Sequence, residues 1–599
     1  MGIVHPCAVL PGSLQIGSPV LMCGIFGVVD KTPIDPARLV ELRYARDTLV
    51  HRGPDHQGEW CDDNHYIGHT RLSILDLSER GNQPMVSADG KVVLACNGEI
   101  YNFKALRAEL AGKHRFVSSS DSEVLLHGYR QWGMDELTRR IEGMFAFVLY
   151  DVEHKLLFLV RDRVGIKPLY YACLDGGFQW ASELKAIRRA LPDDAFHTDE
   201  TALYDYLTYL YIPTPKTVYQ NVYKLPPGHI LRFDCASNTH RIESYWRLEV
   251  PSDPPPVADA EIRLQELLRC AIDSQMVADV PVGFFLSGGV DSSAVVALAA
   301  DRHEQLKTFS IGFDSEKYSE LEFAALVAEH VASDHHPATL DEQTAGVLVD
   351  ELPILFDEPY ADISALPTYL VAKHAAKNVK VVLTGDGGDE LFGGYRWYRN
   401  CGRVQKTRAR NRSLNLTGRA KKALPVARRL VRGLERYLLL QGFGYYTRLL
   451  GGMVANEKGA YRQRWEIPAD YDDYWHFRRH FDTSLPALTA LQALDFHTYL
   501  PDDILTKVDR ATMAHSLEAR VPLLDTALIE FAFALPEATR GREKALFKAS
   551  MAALLPSAIV RRQKKGFGVP AAVWRSGVFR QGRTRQENLL HALYPELIG

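Results

Sequence analysis

Residues 280–293 read Val-Pro-Val-Gly-Phe-Phe-Leu-Ser-Gly-Gly-Val-Asp-Ser-Ser, and this stretch decides the fold of the second half of the chain. Its apolar residues predict a buried strand from Val282 to Leu286, then a glycine-rich turn and a helix start. Glycines let backbone N–H groups approach an anion closely, and a helix N-terminus adds a dipole that favours phosphate. The stretch therefore predicts a phosphate-binding loop.

Asp291 is the unusual member of this loop, because a carboxylate beside phosphates requires a cation between them. Mg²⁺ is the expected cation. An ordinary glycine turn is the alternative, but it leaves the aspartate and the three serines unexplained. The pattern Ser-Gly-Gly-x-Asp-Ser resembles the pyrophosphate-binding loop of ATP pyrophosphatases, which form AMP and pyrophosphate. The ATP-binding residues expected in the loop are Ser287, Gly288, Gly289, Asp291 and Ser292.

The composition indicates a globular protein of more than one domain, because domains usually run to ~100–200 residues and this chain has 599, of which 46% are hydrophobic. A net charge of −4 gives no argument for nucleic acid or a membrane. Eight scattered cysteines without a Cys-x-x-Cys motif argue against a disulfide framework or a zinc site and favour the cytoplasm. No apolar run approaches the ~20 residues that cross a bilayer.

Four short motifs follow one another in the first quarter of the chain. They are Cys-Gly-Ile-Phe-Gly from Cys23, His-Arg-Gly-Pro-Asp from His51, Asn-Gly-Glu-Ile-Tyr-Asn from Asn97 and Ser-Asp-Ser-Glu from Ser120. Each has a structural explanation by itself, since a cysteine in a strand is usually a small hydrophobe. Together and in this order they resemble the N-terminal-nucleophile glutaminase domain of class II glutamine amidotransferases.

The resemblance implies a role for each motif. Cys23 would attack the glutamine amide and form a thioester, while the Asn97 side chain and the Gly98 N–H would form the oxyanion hole. An arginine would grip the substrate α-carboxylate, and two acids would hold its α-ammonium. The glutamine-binding residues expected on this basis are Arg52, Asn97, Gly98, Glu99 and Asp121. An ion pair or a helix cap is the alternative for Arg52 and Asp121.

The domain boundaries follow from prolines and from changes in pattern. Residues 1–22 carry three prolines and no basic segment, so we expect a leader or a start codon placed too early. Apolar runs broken by glycine and proline predict a sheet in residues 23–240, and the resemblance makes it an αββα sandwich. A proline-rich linker lies in 241–256. In 257–599, strands alternating with helices predict an α/β domain with a parallel sheet.

Residues 380–395 read Lys-Val-Val-Leu-Thr-Gly-Asp-Gly-Gly-Asp-Glu-Leu-Phe-Gly-Gly-Tyr, which predicts a strand ending in an acidic, glycine-rich turn. We expect Asp389 to share Mg²⁺ with Asp291. With the motifs Asp357-Glu358-Pro359 and Arg562-Gln563-Lys564, this turn resembles the glutamine-hydrolysing asparagine synthetases over nearly the whole chain. The resemblance implies that Lys564 neutralises the leaving pyrophosphate, with Lys565 and Lys507 as competitors for that role. It also implies an adenosine site formed by Leu286, Ile311, Thr384 and Gly385.

One position departs from that family. Its housekeeping members usually carry Ser-Gly-Glu-Gly in this turn, with the glutamate tied to formation of the acyl-adenylate, whereas this chain has Asp386 there. The shorter side chain leaves ATP use untouched but weakens the argument for aspartate as the acceptor. Residues 399–436 hold thirteen Lys and Arg residues against one acid, which indicates a solvated helical insertion rather than a nucleic-acid site.

The predicted function is amidotransfer. Glutamine is hydrolysed at Cys23, ammonia travels through an internal passage lined in part by Met144, and a carboxylate activated as its AMP ester receives it. The expected substrates are glutamine, ATP and aspartate, the last giving asparagine, and the expected assembly is a homodimer. The alternatives are the same chemistry on a uronic acid, a natural-product acid or a peptide, and a catalytically silent binding protein.

Overall fold

The computed structural model describes residues 23–174, 177–313, 319–340, 352–405, 442–563 and 590. The seventeen strands in this part are β1 Gly24–Asp30, β2 His56–Cys61, β3 His65–Arg71, β4 Met85–Val86, β5 Val92–Ile100, β6 Gly143–Asp151, β7 Leu156–Arg161, β8 Tyr170–Leu174, β9 Gly177–Ala181, β10 Val222–Lys224, β11 His229–Asp234, β12 Thr239–Ser244, β13 Val282–Phe285, β14 Lys307–Phe313, β15 Asp334–Leu340, β16 Val381–Leu383 and β17 Glu518–Arg520.

The α-helices of the described residues fall into two groups along the chain. Before residue 250 they are Pro36–Asp47, Phe103–Leu110, Glu123–Arg140, Leu184–Arg189 and Glu200–Tyr209. After it they are Ala260–Gln275, Val290–Ala300, Leu321–His330, Leu352–Phe356, Ala365–Ala375, Gly388–Phe392, Cys401–Gln405, Gly442–Leu450, Gly459–Arg464, Trp475–His480, Ala487–His497, Thr506–Met513, Thr526–Ala534, Glu537–Arg540, Ala545–Met551 and Ser557–Arg561, with a π-helix at Leu500–Leu505. Among these described helices, none combines the length and the apolar character needed to cross a membrane.

Two six-stranded antiparallel sheets form the first part of the molecule. Their strand orders are β10-β8-β9-β1-β3-β2 and β12-β11-β7-β6-β5-β4. Strand periodicity explains how they pack, because successive side chains point to opposite faces. In β1, Ile25 and Val29 face the second sheet, whereas Phe26 and Val28 face the helices Pro36–Asp47 and Leu184–Arg189. The helices Phe103–Leu110 and Glu123–Arg140 cover the other outer face, which completes the expected αββα sandwich.

A five-stranded parallel sheet forms the second part, in the order β15-β14-β13-β16-β17. The helices Ala260–Gln275 and Val290–Ala300 pack on one face, and the helices Ala365–Ala375 and Thr506–Met513 pack on the other. The strand order reverses at β13, with β14 on one side and β16 on the other. In open parallel sheets the ligand lies beyond the carboxyl ends of the strands at such a reversal, so the predicted phosphate loop leaves β13 at the expected place.

Buried charges join the two parts. Arg52 pairs with Asp509 at 2.9 Å between Nη1 and Oδ2, and Arg510 pairs with Glu183 at 2.8 Å. All four side chains are almost completely buried. Truncating one member of such a pair leaves a buried charge without its counter-ion, which is strongly destabilising. Loss of one partner is therefore expected to destabilise the contact between the two parts.

Candidate active sites

Cys23 lies at the start of β1, and its sulfur contacts the backbone of Leu72. The Leu72 N–H donates to Sγ at 3.4 Å, and the thiol donates to the Leu72 carbonyl oxygen at 3.7 Å. Burial raises the pKa of the Cys23 thiol to about 12. Because the thiolate is the nucleophile, the thiol needs a base close by in order to react at neutral pH.

The two expected oxyanion donors lie on β5, opposite β6. Gly98 has a φ of +147°, and a Cβ there would come within 2.1 Å of the Met144 carbonyl oxygen, so no other residue fits. The Asn97 amide nitrogen donates to the Ser182 hydroxyl at 3.5 Å, and the same hydroxyl accepts from the Ile25 N–H at 3.0 Å. Ser182 thus connects β5 to the strand of the nucleophile. Its distance in sequence from both partners hid this contact from sequence reasoning.

Two buried carboxylates follow, on Glu99 and Asp121. Asp121 accepts from the Ile100 N–H at 2.7 Å, and burial raises its pKa to about 6. Burial, with the Asp121 charge beside it, also raises the pKa of Glu99. One Glu99 oxygen lies 3.1 Å from Arg520 Nη2, and the other has no hydrogen-bond partner among the described residues. Both carboxyl groups therefore hold a proton more tightly than exposed acids do.

The guanidinium of Arg52 is bonded to groups of the protein itself. Its guanidinium donates to Asp509 at 2.9 and 3.0 Å and to Glu183 at 2.7 Å, and its Nε donates to the Cys23 carbonyl oxygen at 3.2 Å. These contacts pair Arg52 across the interface and tie it to the backbone of the nucleophile, while its role in binding glutamine stays a prediction.

Arg71 is the cation that faces the thiol instead, and sequence reasoning missed it. It directly precedes Leu72, and its positive charge lowers the pKa of Cys23. Its hydrogen bonds go to neutral oxygens, such as the Ser78 carbonyl at 2.9 Å and the Asn82 side chain at 2.8 Å. It forms no ion pair within the described part of the chain, although its Nη1 and Nη2 groups all donate to neutral oxygens of residues 75–82. The basic residues of the strand predicted at 68–74 were visible in the sequence. The pairing of that strand with β1, which brings Arg71 close to Cys23, was not.

The phosphate loop is held open by its own serines. The Ser292 hydroxyl accepts from the Ser287 N–H at 3.2 Å, and the Ser287 hydroxyl accepts from the Gly289 N–H at 3.3 Å. Gly288 has a φ of +70°, and a Cβ there would come within 2.5 Å of the Phe323 Cβ. The Leu286 N–H donates to Phe309 on β14, which keeps the loop at the end of the sheet.

The turn after β16 packs against the same loop. A Cβ on Gly385 would lie 2.5 Å from the Ser292 nitrogen, so the close approach of the two segments requires glycine. The Thr384 hydroxyl donates to an Asp386 carboxylate oxygen at 2.8 Å. Ile311, on β14, is buried beside them in the sheet. The structure thus brings the expected adenosine residues to one edge of the parallel sheet.

Asp291 and Asp389 meet at a single cation, which is Lys544. The Lys544 Nζ lies 2.7 Å from an Asp389 oxygen and also pairs with Asp291, and all three side chains are nearly buried. Lys544 lies 155 residues beyond Asp389, and no motif marks it, so the sequence did not predict it. Lys564, the expected pyrophosphate ligand, lies outside the described residues. Arg562 is described, and its Nη1 donates to the Gly288 carbonyl oxygen at 2.9 Å.

A small cavity lies at the contact of the two parts, with a volume of about 10 Å³. That is room for about one water-sized molecule. Met144 is fully buried in β6 but does not line this cavity. One wall comes from the first part of the chain, and the other from the helix Thr506–Met513 and β17. The lining residues are Ile166, Lys167, Leu505, Val508, Asp509, Thr512, Ala519 and Val521.

Comparison with known proteins gives matches to both parts of the chain. The asparagine synthase family model matches residues 263–592, and the glutamine amidotransferase domain model matches residues 22–246. Asparagine synthetase [glutamine-hydrolyzing] 1 of Bacillus subtilis is 34% identical, over 92% of this chain and 88% of that protein. A putative asparagine synthetase [glutamine-hydrolyzing] of Mycobacterium bovis is 35% identical, over 88% and 84%. Amidase chry2 of Gibberella zeae is 26% identical, over 93% and 90%.

These matches span both the glutaminase motifs and the ATP loop, in the order in which the structure presents them. Glutamine-dependent, ATP-driven amidation is therefore the reaction of this chain, and ATP is its co-substrate. The family and the relatives are those of enzymes, which favours the amidotransferase over the catalytically silent binding protein. The chain belongs to the asparagine synthase family, as a glutamine-hydrolysing member with a class II amidotransferase domain.

Proposed function

We propose that the acceptor is aspartate, that Mg²⁺ accompanies ATP at Asp291 and Asp389, and that ammonia passes between the sites inside the protein. The family supports the acceptor, the meeting of Asp291 and Asp389 at one point supports Mg²⁺, and the cavity at the contact of the two parts supports the passage. Residues 23–240 supply the glutaminase, residues 241–256 the linker and residues 257–599 the synthetase.

Glutamine hydrolysis uses the residues around Cys23. The thiolate attacks the side-chain amide carbon, and the Asn97 side chain and the Gly98 N–H donate to the oxygen that becomes negative. The buried carboxylates of Glu99 and Asp121 attract the substrate α-ammonium. Arg71 replaces Arg52 as the partner of the α-carboxylate, since the guanidinium of Arg52 is already paired with two acids. The C–N bond then breaks, the nitrogen takes a proton and leaves as ammonia, and the thioester forms. Water cleaves the thioester, which returns the thiol and leaves glutamate.

The residues at the ATP loop fit a magnesium ion. Asp291 and Asp389 both contact Lys544 Nζ, so their carboxylates face one point, and carboxylate oxygens are the ligands that Mg²⁺ prefers. Bound there, Mg²⁺ would neutralise charge on the phosphates. In this structure Lys544 supplies the positive charge between the two acids. Lys564 remains the proposed partner of the leaving pyrophosphate.

The carboxylate is activated at the turn that follows β16. An acceptor oxygen attacks the α-phosphorus of ATP, pyrophosphate leaves, and an acyl-AMP forms. Ammonia then attacks the acyl carbon, AMP leaves with the bonding pair, and a proton is lost to give the amide. Asp386, oriented by Thr384, is the acid proposed to act at this step. Loss of pyrophosphate requires the phosphates to lie at the loop Ser287–Ser292.

Ammonia has to be kept from water, because water protonates it and the ammonium ion cannot attack the acyl-AMP. The lining of the cavity is mainly apolar, which favours neutral ammonia over ammonium. Arg52 lies between this cavity and the nucleophile, since its guanidinium holds the Asp509 wall while its Nε holds the Cys23 carbonyl. The passage is proposed to begin beside these two residues.

A second acceptor class is favoured by one observation. Asp386 stands where the family usually has glutamate, and a relative that is 26% identical carries the name amidase. The test is mass spectrometry of the products from glutamine, MgATP and aspartate, with and without the acceptor. Asparagine together with AMP, pyrophosphate and glutamate supports aspartate. Pyrophosphate formed with no asparagine would show that another carboxylate is the acceptor.

The family resemblance also supports a homodimer. Light scattering of the purified protein tests this, with a mass of twice 67.3 kDa as the expected result. A mass of one chain at micromolar concentration would contradict it.

A further inference from the structure

Arg520 is a fully buried arginine on β17 that the reaction scheme leaves without a role. Its Nη2 lies 3.1 Å from Glu99, and its Nε donates to Glu518 at 2.8 Å. Its Nη1 donates to the carbonyl oxygens of Gln275 and Val277 at 2.7 and 2.8 Å. A guanidinium offers five donors in a rigid fork. Here Nε and Nη1 are hydrogen-bonded within the synthetase part, while Nη2 lies at ion-pair distance from Glu99 without forming a hydrogen bond among the described residues.

The backbone of the same residue touches the nucleotide site. β16 and β17 pair in parallel with Leu383 opposite Arg520, and the Thr384 N–H donates to the Arg520 carbonyl oxygen at 2.9 Å. Thr384 in turn donates its hydroxyl to Asp386. One residue is therefore one hydrogen bond from the adenosine site through its backbone, and one ion pair from the glutamine site through its side chain.

Electrostatics give Glu99 a reason to depend on this partner. It is buried, and the acids that face it, Asp121 and Glu518, raise its pKa further, whereas Arg520 and Lys167 lower it. The ring of Tyr101 also lies 5.8 Å from the guanidinium carbon. Only an ionised Glu99 attracts an α-ammonium strongly, and Arg520 is the larger of the two positive charges that favour the ionised form.

We infer that Arg520 is a positioning residue that couples nucleotide binding to glutamine binding. The inference rests on the proposed role of Glu99 in holding the α-ammonium. A nucleotide that fixes Thr384 also fixes the β16–β17 pair, and the fixed strand holds the guanidinium against Glu99. Coupling of this kind is reciprocal in binding free energy, so bound glutamine tightens nucleotide binding by the same factor.

The test measures glutamine hydrolysis with and without an ATP analogue that has a methylene group between the α and β phosphorus atoms. The proteins are the unaltered enzyme, Arg520→Lys, Arg520→Gln and Arg540→Gln. Arg540 is the matched control, because it is equally buried in the synthetase part but donates to Thr489. Thermal unfolding shows whether each variant is folded. If Arg520→Gln does not fold, Arg520→Lys is used in its place.

In the unaltered enzyme and in Arg540→Gln, the analogue should lower the KM for glutamine by about 5- to 150-fold, the usual range for coupled sites. In both Arg520 variants the KM without nucleotide should rise, the effect of the analogue should disappear, and kcat should stay nearly unchanged. A purely structural residue would lower kcat and stability together without abolishing the nucleotide effect.

Two results overturn the inference. One is a folded Arg520 variant that keeps the full nucleotide effect, and the other is an unaltered enzyme with no nucleotide effect on KM. Glu99→Gln separates this failure from failure of the proposed glutamine site. If Glu99→Gln leaves the KM for glutamine unchanged, the proposed role of Glu99 is wrong. If Glu99→Gln raises that KM but the Arg520 variants keep the full nucleotide effect, only the role of Arg520 is wrong.

Discussion

At the scale of single residues, a charge carries meaning only with its partner. Arg52 and Arg71 are both buried arginines close to Cys23, yet Arg52 is neutralised by two carboxylates and Arg71 by none that the structure describes. Asp291 is equally defined by its neighbours, since it shares one cation with Asp389. These pairings decide which residue is left to bind a substrate.

The two arginines should separate in kinetics. Arg71→Lys should raise the KM for glutamine by about tenfold or more, because a charge-assisted pair with the substrate carboxylate contributes on the order of 1.5–3 kcal/mol. Arg52→Lys should leave that KM nearly unchanged and weaken the contact with Asp509, which a lower unfolding temperature would show. Steady-state glutaminase assays measure the first effect. The opposite pattern of KM values would restore Arg52 as the substrate ligand.

Asp291→Ala should uncouple the two half-reactions. Pyrophosphate release should fall by roughly 100-fold or more, the usual effect of losing a group that stabilises charge in the transition state. Glutamine hydrolysis without nucleotide should persist, since Cys23, Asn97 and Gly98 are untouched. Asp301→Ala is the matched control, because Asp301 lies at the exposed end of the same helix and pairs with Arg269 at 2.9 Å. Normal pyrophosphate release from Asp291→Ala would remove the loop from the ATP site.

The sequence predicted motif residues well and their partners poorly. Short patterns of neighbouring residues identify Cys23, Asn97, Gly98 and Asp291 in the sequence. They do not identify Ser182, Arg520 and Lys544, because the contacts of these residues join segments more than eighty residues apart. Packing of distant elements sets such contacts, and no local spacing records it. Arg52 was assigned to glutamine binding from its motif alone, because the motif does not show its contacts with Glu183 and Asp509.

At the scale of elements, β17 is the strand on which the account depends. It has three residues, pairs with β16 at the edge of the parallel sheet, and carries Glu518, Ala519 and Arg520. Its first and last residues form the charge cluster that reaches Glu99, while Ala519 lines the cavity. So short a strand has no readable period, which explains why sequence reasoning did not single it out. The sandwich and the parallel sheet were predictable, because their strands are long or end in glycine-rich turns.

Filling the cavity should block the passage of ammonia without stopping either reaction. Ala519→Leu adds three carbons to a wall of a cavity of about 10 Å³, which should lower the amount of asparagine formed per glutamate released. Parallel amino-acid analysis of glutamate and asparagine measures the ratio. An unchanged ratio in a folded variant would place the passage elsewhere.

At the scale of the whole molecule, the nucleophile needs a base, and its own α-amine is the base that we propose. An α-amine titrates near ~7.7–8.0, so it can accept the proton of its own thiol at working pH. While Cys23 is joined to Met22, its nitrogen is an amide and cannot do so, and burial holds the pKa of the thiol at about 12. We therefore propose that the active protein begins at Cys23.

A protein that starts at Cys23 should hydrolyse glutamine far faster than one that keeps residues 1–22. Intact-mass measurement identifies the amino end, and glutamate release from the same sample reports activity. Cys23→Ser, with the same amino end, is the control for the thiol. Full activity in a chain proven to retain Met1 would contradict the role of the free amine.

The central claim is that one chain moves nitrogen from glutamine to an ATP-activated carboxylate without releasing it to water. The most direct test supplies glutamine labelled with ¹⁵N in the side-chain amide, together with MgATP, aspartate and an excess of unlabelled ammonium. Mass spectrometry should find ¹⁵N in nearly all of the asparagine, with one AMP formed for each asparagine. Asparagine that carries the isotope content of the bulk ammonium, or a labelled amide formed without AMP, would contradict the account.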